Sequence, residues 1–126
     1  MVVPAAVREA IAEHARAEAP NECCGLLLLS GGQAERYVPG LNKAASPYRF
    51  ELEMPDPEVW FLEDEGYELA VVHSHVSSPP RPSRTDVENV GMWDGRPYVI
   101  YTLRTDELAA WQIGSGGIEP LPLTPG

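Results

Sequence analysis

The stretch VVHSHVSSPPRPSRTD, residues 71–86, sets two of the chain's three histidines one residue apart and follows them with a serine and an aspartate. On a strand, alternate residues share a face, so His73 and His75 can aim their imidazoles at one point while Ser74 faces the other way. Two neutral imidazoles and one carboxylate make a familiar catalytic zinc set, with the fourth tetrahedral position left to water, and Asp86 stands on the next element as a possible third ligand. The pair alone equally fits two hydrogen-bonded histidines closing a core strand. Ser83 and Asp86, at i and i+3 before a helical run, also fit a capping box, although Glu or Gln is the commoner partner there. A site and a cap do not exclude each other. The proline-rich SSPPRP between strand and helix restricts the chain's freedom and suits a loop held in register. The third histidine, His14, sits on a helical face without ligand-like neighbours and reads as structural or solvent-facing.

A hydrolytic zinc also needs a base. Other metal templates fail: the chain has no H-E-x-x-H, no P-C-x-x-C to pair with a deaminase histidine and no H-x-H-x-D-H. A His-x-His on the first strand of a (β/α)8 barrel would need about twice this length. Among the carboxylates, Glu22 in PNECCGLLLL lies at a helix-to-strand junction, where a strand end brings side chains into a cleft. On spacing alone the reading that wins is an ordinary exposed loop glutamate. Cys23 and Cys24 are adjacent, poor geometry for a mutual disulfide and too few for a zinc-finger framework, so both read as reduced.

These residues need a scaffold. Apolar positions Val7, Ala10 and Ile11, with His14 or Ala15, recur at helical spacing between Pro4 and Pro20, which predicts a first helix. CCGLLLLS, stopped by Gly31-Gly32, and the alternating QAERYVP predict a hairpin. YRFEL predicts a further strand. DPEVWFLEDEGY predicts a second helix, with Val59, Leu62 and Trp60 or Phe61 on one side and a stop at Gly66. ELAVVHSH predicts a buried strand, SRTDVENVGMW a short third helix, and PYVIYTL, ELAAWQI and IEPLPL the closing strands. The sum is an α+β fold, a mixed central β-sheet flanked by helices, in one domain spanning residues 1–126. At 126 residues and 44% hydrophobic, the chain suffices for one core and not for two. A net charge of -10 and a pI near 4.6 repel phosphate backbones and anionic lipid, which disfavours nucleic acid and membranes as partners. No apolar run reaches a membrane span and no basic-then-apolar leader opens the chain, so a cytoplasmic location is expected.

Glu22 in E-C-C-G-L-L-L, then H-S-H, seven residues and S-R-T-D, resembles the JAMM (MPN-plus) zinc metalloprotease signature, a Glu upstream of H-x-H-x7-S-x2-D. The order of elements also resembles the compact prokaryotic members and covers nearly the whole chain. One departure is Val76, where many relatives carry proline after the second histidine; here the prolines stand at 79, 80 and 82. The resemblance implies a cytidine-deaminase-like JAMM/MPN fold, Zn2+ held by His73, His75 and Asp86, Glu22 as the proton carrier and Ser83 as a hydrogen-bond donor to the oxyanion. It also implies a substrate, the Gly-Gly C-terminus of a ubiquitin-like sulfur-carrier protein or its conjugates. Two hydrolytic readings follow: an isopeptidase freeing the carrier from a lysine side chain, and a hydrolase releasing a small amino acid such as cysteine. The rivals are a metal-free MPN-like scaffold, whose relatives lose ligands that this chain keeps, and a structural zinc closed by Cys23 or Cys24. Oligomeric state is not legible in the sequence.

Overall fold

A computed structural model describes residues Met1–Gly126. Helix α1 (Ala5–Glu18) leads into strands β1 (Cys24–Ser30) and β2 (Gln33–Pro39), the short strands β3 (Leu41–Asn42) and β4 (Leu52–Glu53), and a 3-10 helix over Pro57–Glu65. Strand β5 (Glu68–His75), helix α2 (Arg84–Glu88), a 3-10 turn at Gly91–Trp93 and strands β6 (Pro97–Thr102), β7 (Glu107–Gly114) and β8 (Gly117–Leu121) complete the chain. Six strands form one mixed sheet in the order β2-β1-β5-β6-β7-β8, and β3 pairs with β4 beside it. No helix is long and apolar enough to cross a membrane.

The continuous apolar runs of β1 and β5 reflect burial on both faces. On one face, Leu27, Leu29, Ala70 and Val72 pack under Ile11, Ala12 and Ala15 of α1. On the other, Leu26, Leu28, Leu69 and Val71 pack with Val59, Trp93, Tyr98 and Ile100. The period of two along β5 therefore puts His73 and His75 on the second face with Val71, and Ser74 toward α1. Ser74 is fully buried and its Oγ accepts from the Cys23 backbone N–H at 2.8 Å, so the residue between the histidines ties β5 to the start of β1.

The β1–β2 hairpin turns through Gly31 and Gly32 at φ 57° and 81°, the pair of positive angles that a two-residue primed turn requires. Gly25 is needed for a different reason: a Cβ there would stand 2.5 Å from the Val38 carbonyl and 2.6 Å from the Tyr37 ring. The pairing β5–β6 is parallel, His73 beside Ile100 and His75 beside Thr102. A parallel pair demands a long crossover, and that crossover carries the proline loop and α2 over the end of β5.

Three expectations need correction. YRFEL contributes only Leu52 to the two-residue strand Leu52–Glu53, because Asn42 takes over the local pairing: its Oδ1 accepts from the Glu51 N–H and its Nδ2 donates to the Arg49 carbonyl. The second helix forms and stops at Gly66 as expected, with 3-10 pitch, and of its two alternatives Trp60 packs inward with Val59 and Leu62 while Phe61 points to solvent at 65% exposure, so only its pitch is corrected. The third helix stops at Glu88; its continuation is the separate 3-10 turn at Gly91, a glycine with φ 53°.

Candidate metal centre

His73 and His75 end β5 with both rings buried, and their Nε2 atoms lie 3.2 Å apart. Asp86, on the first turn of α2, reaches back to both: Oδ1 is 3.2 Å from His73 Nε2 and Oδ2 is 3.1 Å from His75 Nε2. Donors around a tetrahedral ion held at about 2.0 Å stand roughly 3.3 Å from one another; the three spacings are of that size, with a different Asp86 oxygen facing each imidazole. The capping box is also present. Ser83 Oγ accepts from the Asp86 N–H at 3.1 Å and Asp86 Oδ2 accepts from the Ser83 N–H at 2.9 Å. The cap is what aims the carboxylate: it fixes the Asp86 rotamer and leaves Oδ1 for His73.

His75 Nδ1 lies 2.8 Å from the Pro79 carbonyl, which only accepts, so Nδ1 carries a proton; in the neutral imidazole this leaves the Nε2 lone pair facing the site, and in the charged one Nε2 donates to Asp86. Such a partner for the far nitrogen is the usual companion of a metal-ligating imidazole. His73 Nδ1 has no hydrogen-bond partner. Its ring is held instead by packing, stacked on Phe50 at 4.6 Å between centroids and met edge-on by Tyr98 at 5.2 Å.

Glu22 is 3% exposed, and its Oε1 also lacks any partner, 3.9 Å from His73 Nε2. A hydrogen-bonded His-His-Asp cluster gives no reason to bury an idle carboxylate beside it. A cation held there would. Glu22 is placed by backbone bonds, its N–H donating to the Ser46 carbonyl at 2.9 Å and its carbonyl accepting from Asn42 Nδ2 at 3.0 Å. Two donor sets share the imidazoles, because Glu22, His73 and His75 offer atoms all within 4.8 Å of one another. The Asp86 contacts are the shorter ones.

Charge separates the two carboxyls. Burial opposes ionisation of Asp86, but hydrogen bonds from His73 and His75 outweigh it and hold this group well below the ordinary carboxylate range. Glu22 is raised to about 8 by burial first and then by the Asp86 charge. Burial lowers the His73 pKa, and His75 is raised because Asp86 overcomes its desolvation. One carboxyl thus stays anionic, and the other holds a proton near neutrality.

The sequence-predicted residues Glu22, His73, His75, Ser83 and Asp86 come together at the end of β5. Glu22, His75 and Ser83 line one cavity of about 330 Å³. Cys23 and Cys24 do not join them: both are buried and free, their thiols raised by burial to about 11 and about 12, and Cys24 Sγ donates to the Leu41 carbonyl. His14 is structural, its Nδ1 2.6 Å from the Tyr37 hydroxyl. Sequence reading missed Asn42, Phe50 and Tyr98. Asn42 and Phe50 flank loop geometry that no periodicity encodes, and Tyr98 was read only as part of a buried strand.

A family model described as prokaryotic homologs of the JAB domain matches residues 4–114. The chain is 32% identical over 131 residues to the CysO-cysteine peptidase of Mycobacterium tuberculosis, an alignment spanning 98% of this chain and 89% of that one. Among solved structures, a protein from Desulfitobacterium hafniense superposes with a TM-score of 0.80 at 27% identity, covering 97% of this chain and 90% of that chain. A JAB1/MPN domain protein from Archaeoglobus fulgidus shares the fold, with a TM-score of 0.66 at 20% identity and coverage of 98% and 97%.

Proposed function

The chain belongs to the family of prokaryotic homologs of the JAB domain, and from that premise we propose that it is a zinc-dependent hydrolase of the JAMM type, cutting the amide bond at the Gly-Gly C-terminus of a ubiquitin-like sulfur-carrier protein. The observation that carries this reading is the convergence of three donor groups at 3.1 and 3.2 Å beside a buried carboxylate oxygen with no partner. His73, His75 and Asp86 would hold the zinc. When bound, the ion polarises the scissile carbonyl and brings the pKa of a water from about 15.7 to about 7. Glu22, ionised once the positive charge of an ion offsets its burial, would take that water's proton and return it to the leaving amine.

Ser83 has two tasks. Its Oγ accepts from the Asp86 N–H, so the hydroxyl proton remains free to donate into the cavity, toward the oxyanion. Ser83→Ala is therefore expected to lower the rate by roughly 10²-fold, as loss of an oxyanion donor does. It should also cost about 1 kcal/mol of stability through the lost cap. Turnover assays beside thermal unfolding separate the two: a rate equal to the parent's leaves Ser83 with the cap alone.

The relative in M. tuberculosis is named for a CysO-cysteine substrate, which favours a small amino acid as leaving group. The cavity's ten lining residues include no lysine or arginine to select a free carboxylate, which supports loose reading of the amine side. The test offers zinc-loaded enzyme a carrier joined through its C-terminal carboxyl either to cysteine or to a lysine side chain of a second protein, with release followed by mass. Both adducts are expected to be cut, yielding a carrier that ends in Gly-Gly. If neither is cut while an unrelated peptide is, the carrier assignment falls and the hydrolytic chemistry stands.

A further inference from the structure

We infer that Trp111 is a positioning residue for the metal centre, acting through the proline loop on His75; this rests on the reading of His75 as a zinc ligand. The loop between β5 and α2 belongs to no helix or strand, and Pro79, Pro80 and Pro82 have no backbone N–H to donate. Its position is set by what donates to its carbonyls. The Arg104 N–H donates to the Val76 carbonyl at 3.1 Å, Thr102 Oγ1 to that of Ser78 at 2.8 Å, His75 Nδ1 and the Arg81 N–H to that of Pro79 at 2.8 and 2.7 Å, and Trp111 Nε1 to that of Pro80 at 2.8 Å. Trp111 also carries the Arg81 guanidinium over its ring, 5.6 Å from the centroid, so it grips the loop at two consecutive residues.

The carbonyl next to that grip orients His75. Pro79's oxygen fixes which His75 nitrogen is protonated and which way the ring faces, and being backbone it cannot be removed by substitution. Trp111, on β7 and two strands from the ligand strand, is the side chain through which this contact is adjusted. Because the Arg81 N–H bonds the Pro79 carbonyl, loosening the grip on Pro80 and Arg81 loosens the turn that carries this carbonyl, and with it the orientation of His75. Outer partners of metal-bound histidines are worth about 10- to 100-fold in affinity.

Trp111→Phe deletes the N–H and keeps an aromatic ring under Arg81 and against Tyr98, its cross-strand partner. Competition with a chromophoric chelator is expected to find zinc held about 10-fold more weakly by the variant. In proton NMR of the zinc-loaded protein, the His75 Hδ1 resonance should be sharp in the parent and broadened in the variant. A folded variant with the parent's zinc affinity and an unchanged His75 signal overturns the inference alone. A parent protein that takes up no zinc overturns both this inference and the ligand assignment. If Trp111→Phe does not fold, the unaltered protein decides: zinc should slow exchange of the Trp111 indole proton about 10-fold, because coupling between two sites is reciprocal, and equal rates with and without zinc refute it.

Discussion

Glu22→Gln is expected to cut turnover by about 10²- to 10⁴-fold, the range for removal of a general base, in a protein that stays folded and keeps its zinc. The substitution preserves shape. Glu22 Oε1 makes no hydrogen bond, so its replacement breaks none. Burial and the Asp86 charge disfavour the ionised form of Glu22, and the amide escapes that cost. Stability should therefore be equal to the parent's or slightly higher, while the group that carries the proton is gone. Turnover close to the parent's would mean that another residue is the base, and loss of zinc would move Glu22 from base to ligand. Zinc content and rate on one preparation distinguish these outcomes.

His73→Ala, His75→Ala and Asp86→Ala should each bring zinc from one ion per chain to near zero, and activity with it. The three donors differ in what else they hold, and this makes the comparison informative. His73 is fully buried against Phe50 and Tyr98, so its loss also opens a hole and lowers stability, by about 2–4 kcal/mol for a large-to-small change in a core. Asp86 also closes the capping box, and Asp86→Asn, which retains an acceptor oxygen for the Ser83 N–H, separates the cap from the metal. The asparagine variant should keep the cap, lose the stability that ionised Asp86 draws from the two imidazoles, and lose zinc. Elemental analysis after dialysis against a chelator and return of one equivalent of zinc reads all four variants; full occupancy in the alanine variants would refute the donor set.

The residues at the site were legible because the chemistry is written in short spacings. His73 and His75 share a face by strand period alone, and Ser83 and Asp86 declare a helix start through their own hydrogen bonds. The sheet was legible from the apolar runs of β1, β5 and β6, which are buried on both sides. Glu22 was different. On its own it is a loop glutamate, and only resemblance to a known signature lifted it above that; the structure supplies the physical sign, a buried carboxylate without a partner. YRFEL, residues 48–52, is not the strand its pattern predicts because one side chain, Asn42, replaces the backbone ladder there. The helix after the proline loop was drawn too long because Gly91, in a left-handed conformation, starts a new turn. The tethering of the proline loop by Thr102 and Trp111 depends on contacts between distant parts of the chain, which local pattern does not encode.

The central claim is that His73, His75 and Asp86 hold the ion and Glu22 stands beside it. Crystals of zinc-loaded protein measured on either side of the zinc absorption edge test this most directly. The expected anomalous peak is single, about 2.0–2.2 Å from His73 Nε2, His75 Nε2 and an Asp86 oxygen, with the Glu22 carboxylate outside the bonding distance. A peak bonded to Glu22 in place of Asp86, or one held away from the two imidazoles, would contradict it.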